Sequence, residues 1–480
     1  MGAGLSGVLM GIQLIRRGFD DFIIYERQND VGGTWLRNTY PGLHCDVPSH
    51  LYCYSFEPNP DWSTVHASQP EIQAYIRACA DKHGLLPKIR FGTPLESATF
   101  DEAAGAWHVK TDANESFSHR WLVSATGGLT EPNLPRIDGL DQFNGESWHS
   151  GAWRHDIDLT DKTVAIIGTA ASAVQVVPEV ARNAKHLTVF QRSPNWVMPR
   201  NNQPYTRAQQ AAFQSPAHLR RHWRKLYRRT LTTHRAFQRD PRAIRTIRTV
   251  GLKHMQSAIN DPKLLAAVTP DYDPGCKRIV VSDEYYPALA MPHVELVAEA
   301  VRELTEDSVV TVSGDATPTD IVIFCTGYKL GSRASGKPQF EVIRSDGQTL
   351  TSSLAVHPQA YRGVAIPNFP NYFTVCGING VVAYASFFAS AEVCTEFIAD
   401  RALEFFCDEY HSVQPDPSIT RQYNDAIQSE LQGMSWATGQ CTNFYRDRSG
   451  RVLSFFPGSL ARMRREMRRA GFDGFVVKPS

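Results

Sequence analysis

The chain has 480 residues, 42% of them hydrophobic and 21% charged, with 50 Lys and Arg against 49 Asp and Glu. That length exceeds the roughly 250–300 residues at which one core stops growing, so at least two domains are expected, and the composition has no signature of disorder. A net charge of +1 gives no global field drawing the chain to nucleic acid or an acidic membrane, and nine Cys without a C-x-x-C pair fit neither a zinc site nor a disulfide framework. The cysteine usage points to a reducing, cytoplasmic setting, no metal is expected, and the lack of an 18-residue apolar run predicts no membrane span.

Gly2-Ala3-Gly4-Leu5-Ser6-Gly7 reads G-x-G-x-x-G, and Val8 to Gly18 follows with apolar residues at helical spacing. Phe22-Ile23-Ile24-Tyr25 then reads as a buried strand ending in Glu26. Glycine turn, helix, strand and acidic residue stand in the order of a dinucleotide-binding unit. The glycines Gly2, Gly4 and Gly7 let the backbone approach a pyrophosphate at a helix N-terminus, and Glu26 accepts from a ribose hydroxyl. Such a unit opens with a strand, yet here Met1 alone precedes Gly2. Ile89 to Phe100, Ala106 to Val109 and Trp121 to Gly127 alternate or run apolar like strands, and Pro132, Pro135 and Gly139 punctuate a linker.

Thr163 to Ile167 is a β-rich apolar run that ends in Gly168-Thr169-Ala170-Ala171-Ser172-Ala173-Val174-Gln175. A helix-like stretch and the strand His186 to Phe190 follow, so the order of the first unit repeats and two dinucleotides are implied. Ala170 and Ala173 occupy positions where glycine is usual. The second change is tolerated by packing, whereas the Ala170 methyl stands where the backbone should approach phosphate. At the end of the second strand Gln191-Arg192-Ser193 replaces the acidic residue suited to NAD, and a guanidinium there pairs with a 2'-phosphate, favouring NADP. Arg220 to Arg248, interleaved with Trp223, Tyr227 and Phe237, reads as a helical pair with a solvated basic face. Asp320 to Phe324 reads as a strand running into Cys325-Thr326-Gly327-Tyr328, and Ala385 to Leu403 as a helix. The fold class is α/β, with two Rossmann-like dinucleotide-binding domains.

Between the two units, Phe143 to Trp153 reads F-x-G-x-x-x-H-x-x-x-W, with Gly145 and His149 at its inner positions. That stretch resembles the fingerprint of Baeyer-Villiger monooxygenases, a family of class B flavoprotein monooxygenases. Gly32-Gly33-Thr34-Trp35, the run Tyr40-Pro41-Gly42-Leu43-His44-Cys45-Asp46-Val47, the segment Lys277-Arg278 to Tyr285-Tyr286, and the tail Trp436 to Asp447 are similar to further segments of the same family. The resemblance spans nearly the whole chain. It implies FAD and NADP as cofactors, and a small-molecule ketone and O2 as substrates, joined through a C4a-peroxyflavin to give an ester or lactone.

Carried over residue by residue, the resemblance puts Thr34, Trp35, Val47 and Tyr52 against FAD, with Gly33, His44 and Cys45 in the same segments. Arg278 becomes the catalytic arginine and Asp46 the carboxylate that orients it, while Lys277 contacts the nicotinamide cofactor. It divides the chain into a first FAD-domain part at 1–140, a linker with the fingerprint at 141–160, an NADP domain at 161–325 with a helical insertion at about 201–269, and a second FAD-domain part at 326–480. Two other functions stay open from the residues alone: an N- or S-oxygenating flavin monooxygenase, and a dinucleotide-binding protein without oxygenase activity.

Overall fold

Thr163–Ile167, His186–Phe190 and Ile321–Phe324 are short runs of mainly β-branched and aromatic residues, buried almost without a break. Such runs make strands covered on both faces, and each fully buried Val, Ile or Phe contributes about 1.5–3 kcal/mol relative to exposure. The computed structural model describes residues 1–329, 340–447 and 449–479. In it these runs form a parallel sheet in the order Val294–Val297, His186–Phe190, Thr163–Ile167, Ile321–Phe324, Glu146–His149. Strand order reverses between Thr163–Ile167 and Ile321–Phe324, and at such a switch point a crevice opens at the carboxyl ends of the strands. Gly168 lies at one side of that point and Cys325 at the other. The interval 141–160, expected as a linker, contributes the edge strand Glu146–His149 and so places His149 in register with Phe324.

The first unit is more fragmentary. Its sheet consists of Ile24–Tyr25 beside Ile89–Arg90, and Leu122–Ser124 beside Tyr372–Thr374. Met1 and Gly2 lie between these pairs: Met1 N donates to Val123 O (2.8 Å), Ala125 N to Met1 O (2.9 Å), and Gly2 N to Tyr25 O (2.8 Å). Met1 and Gly2 thereby bridge the two strand pairs at the position where an opening strand was expected. The helix Leu5–Ile15 is buried from Leu5 to Gln13 and packs on Phe387–Cys407, as an all-round apolar helix must. A four-stranded sheet, ordered Glu341–Ile343, Leu95–Asp101, Ala106–Thr111, Ser116–His119, flanks this unit.

The insertion folds into the helices Arg207–Phe213, Pro216–Phe237, Pro241–Ala258 and Pro262–Val268. The last two start alike: Pro at the first position lacks an N–H that would be orphaned there, and Asp240 or Asp261 accepts from the next two backbone N–H groups. On the long pair, apolar residues such as Leu226 and Ile247 face inward and Arg221, Arg224, Arg228 and Arg245 are exposed, which is the expected solvated basic face.

The expectation that the cysteines form no disulfide is corrected for one pair. Cys276 and Cys441, 165 residues apart, are bonded with their Cα atoms 6.1 Å apart, and seven other cysteines are free. Spacing along the chain carries no trace of a pairing made by packing between domains. Among the described residues, no helix is long and apolar enough to cross a membrane, and no group of three or more His, Cys, Asp or Glu could hold a metal ion.

Candidate functional site

The glycine turn of the first unit is held by backbone contacts that exclude side chains. A Cβ on Gly7 would lie 1.7 Å from Gly2 O, so the turn closes with glycine alone at that position. The helix it opens has Gly4 at its N-cap, no side-chain cap and no acidic residue in its first turn. Uncapped N–H groups at the positive end of a helix suit an anionic pyrophosphate. Glu26, 6% exposed, accepts from Ala3 N (2.5 Å) and Gln28 N (2.8 Å), tying the strand end to the turn. Both bonds leave acceptor capacity on the carboxylate for a ribose hydroxyl. Gly33 leads into the short helix Thr34–Arg37, bridged back to the turn through Gly4 and Gly32. Trp35 Nε1 donates to Tyr52 OH (3.0 Å), and the two rings meet edge to face at 5.6 Å.

In the second unit, Gly168 has φ +115°, and a Cβ there would meet Cys325 O at 2.5 Å, so the switch point requires glycine. Thr169 is buried, and Ala171 and Ser172 lead into the helix Ala173–Asn183, whose N-cap Ser172 makes no side-chain cap. Ala170 is exposed, and its carbonyl accepts from Val174 N (3.0 Å). At the end of His186–Phe190, Lys277 Nζ donates to Ser193 Oγ (2.6 Å). Burial lowers the Lys277 pKa, and the field of Arg192 lowers it further. Two cations and a hydroxyl thus converge at the position where the strand pattern asked for a 2'-phosphate ligand.

Arg278 connects the two units. The segment that carries it precedes Val280–Val281, which pairs in parallel with Val197–Met198. From there Arg278 Nε donates to Asp46 Oδ2 (3.0 Å), and Nη2 donates to the same oxygen, across 232 residues of sequence. Burial pushes the Asp46 carboxyl up, but the Arg278 guanidinium, through its field and hydrogen bonds, holds it below the usual carboxylate range. In return Asp46 raises the Arg278 pKa, so both groups are charged at neutral pH. The Arg278 side chain remains 47% exposed and keeps donors for a second anion.

The loop that presents Asp46 is seated on the second unit. His44 N donates to Gln175 Oε1 (2.9 Å), and Arg200 Nη2 donates to the same oxygen (2.9 Å). Cys45 N donates to Ala67 O (3.0 Å), and Val47 N lies 3.4 Å from Cys45 Sγ, so Cys45 and Val47 are held on either side of Asp46. Gln175 was expected at the NADP turn; the structure makes it the contact between that turn and the FAD-side loop. Arg200 carried no sequence signal, since an Arg in a loop looks alike whether solvated or bonded.

The fingerprint forms a second connection. His149, 4% exposed, accepts from Gly151 N through Nδ1 (3.0 Å), and its ring meets Tyr328 edge to face at 5.4 Å. Tyr328 OH donates to Asn38 Oδ1, and Asn38 Nδ2 donates to Thr34 O (2.9 Å). Trp148 packs edge to face on Trp153 at 5.8 Å. His149 is thereby joined through Tyr328 and Asn38 to the segment expected to touch FAD. Burial holds its imidazole pKa below the ordinary value, which favours the neutral ring.

The family model for flavin-binding monooxygenase-like proteins matches residues 1–333. A Baeyer-Villiger monooxygenase of Streptomyces coelicolor is 37% identical over 484 residues, covering 100% of this chain and 92% of that protein. A Baeyer-Villiger monooxygenase of Pseudomonas aeruginosa is 35% identical over 466 residues, covering 97% and 88%. Among solved structures, an oxidized steroid monooxygenase bound to NADP superposes with a TM-score of 0.86 at 28% identity, over 100% of this chain and 98% of that one. With two glycine turns, the Arg192 and Lys277 cations near the second and a charged pair between them, the chain belongs to the flavin-binding monooxygenase-like family, as an FAD- and NADPH-dependent enzyme of its Baeyer-Villiger group.

Proposed function

We propose that this enzyme inserts one oxygen atom from O2 beside the carbonyl of a small-molecule ketone, and that Arg278 and Asp46 form its oxygenation centre. The observation that carries this reading is the Arg278–Asp46 pair, made between the two nucleotide units with Arg278 donors left over. Bound FAD and NADPH would supply hydride transfer and O2 activation, and attack on a ketone would leave an oxyanion on the substrate. A fixed guanidinium placed beside that oxyanion stabilises it without reorganising at the moment of reaction. Asp46 sets the guanidinium in place and cannot take its proton, because the Arg278 pKa is raised. Incubation with a panel of cyclic, aryl and open-chain ketones is expected to accelerate NADPH oxidation and yield an ester or lactone. Sulfoxide or N-oxide from heteroatom substrates, with no ester from any ketone, would favour the heteroatom reading instead.

Arg192, Ser193 and Lys277 are assigned to the 2'-phosphate of NADPH. A charge-assisted phosphate contact contributes about 1.5–3 kcal/mol, so Arg192→Ala is expected to raise KM for NADPH roughly tenfold or more and to leave KM for NADH nearly unchanged. Equal loss with both cofactors overturns the assignment.

His149 is assigned a positioning role between the domains, since its ring is nearly buried and packs on Tyr328. His149→Ala is expected to slow flavin reduction or release more hydrogen peroxide per NADPH while FAD stays bound. Stopped-flow reduction and peroxide assays check this, and unchanged values in both refute it.

A further inference from the structure

Cys276 directly precedes Lys277 and Arg278, and its disulfide partner Cys441 lies in the C-terminal segment of the FAD domain. Both are buried, at 1% and 8% exposure. The tail around Cys441 rests on the arginine's segment through Ser435, whose Oγ donates to Gly275 O (3.0 Å), and on the insertion through Trp436, which packs at 4.9 Å on Phe237. Arg446 closes the tail on itself by donating to Ala437 O (3.0 Å) and Cys441 O (3.2 Å). Tyr445, in the same tail, is close enough to Arg278 for each to shift the other's pKa. A covalent bond thus fastens the C-terminal tail to a residue two positions before Arg278.

We propose that Cys276 and Cys441 are a thiol–disulfide pair that clamps residues 435–447 over Arg278, and that opening it loosens the oxygenation centre. The proposal rests on the assignment of Arg278 to that centre. The oxidant is a hydroperoxide, in the simplest case hydrogen peroxide released when reduced flavin reacts with O2 without oxygenating substrate. Cys441, flanked by the exposed Gln440 and Thr442, attacks the O–O bond as a thiolate, giving a sulfenic acid and hydroxide. The Cys276 thiolate then displaces hydroxide from that sulfur; with the two thiol protons, two waters leave for each peroxide consumed. A dithiol reductant reverses the bond by returning two electrons and two protons. A loosened enzyme that leaks peroxide would thereby close its own clamp.

The test compares the FAD-loaded enzyme as purified, after dithiothreitol, and as the Cys276→Ser/Cys441→Ser variant. Thiol counting under denaturing conditions is expected to rise by two on reduction, with a 2 Da mass gain confined to the peptides of Cys276 and Cys441. Hydrogen exchange in 435–447 is expected to quicken about tenfold in the reduced enzyme and in the variant. Peroxide released per NADPH should rise several-fold in both, and added hydrogen peroxide should restore coupling in the reduced wild type but not in the variant. No gain of thiols, or unchanged exchange and coupling after reduction, overturns the clamp. If reduction changes exchange in 435–447 but coupling moves neither here nor in Arg278→Ala, the assignment of Arg278 has failed; if Arg278→Ala abolishes ester while reduction changes nothing, the clamp alone has failed.

Discussion

Arg278→Ala is expected to retain FAD and to accept hydride, yet to form oxygenated product about three orders of magnitude or more slowly than the wild type. The substitution removes the one cation that faces Asp46 through two hydrogen bonds, and it leaves the oxyanion of the attacked ketone without a fixed partner. A preorganised donor aimed at a developing oxyanion contributes about 4 kcal/mol, and each ~1.4 kcal/mol is a factor of ten in rate. NADPH oxidation should continue and its electrons should appear as hydrogen peroxide. The neighbouring Lys277 tells a loss of cofactor affinity from a loss of oxygenation. It bonds to Ser193, at the site proposed for the 2'-phosphate, so Lys277→Ala is expected to raise KM for NADPH and keep the ratio of ester to peroxide. The measurement is NADPH, peroxide and ester followed together in both variants. Well-coupled ester formation by Arg278→Ala would place the oxygenation centre elsewhere.

Gly7→Ala is expected to deprive the protein of most of its flavin. The added methyl would stand 1.7 Å from Gly2 O and 2.9 Å from Gly2 C, and both obstacles are backbone, so no side chain can move aside. Gly2 itself is held by its bond to Tyr25 O, which means the turn must open rather than slide. Overpacking of this kind costs about 1–3 kcal/mol, and where it falls on the cofactor-binding conformation it weakens FAD about 10–100-fold. Gly433→Ala is the control: a Cβ there meets Glu430 O at 3.5 Å, an ordinary contact, and flavin content should not change. Flavin absorbance per protein after gel filtration, with a dissociation constant from fluorescence titration, checks both. Full flavin content in folded Gly7→Ala would show that this turn does not cradle the pyrophosphate.

What the residues determined by themselves is local. Thr163–Ile167 and His186–Phe190 stand in the structure with the bounds their apolar runs imply, because a strand buried on both faces writes itself as an unbroken hydrophobic run. The glycine turns were legible for a similar reason: Gly7 and Gly168 meet the backbone so closely that no other residue fits. The family motifs brought Asp46, Lys277 and Arg278 into view, yet nothing in their spacing says that a guanidinium reaches across 232 residues to one carboxylate oxygen. Packing between the domains decided that contact. It also decided the edge strand at Glu146–His149, the seat of the His44 loop on Gln175, and the bond between Cys276 and Cys441. In each case the partner is supplied by another domain or a distant segment, and a charged, amide or thiol side chain in a loop has the same sequence signature whether it meets water or a partner.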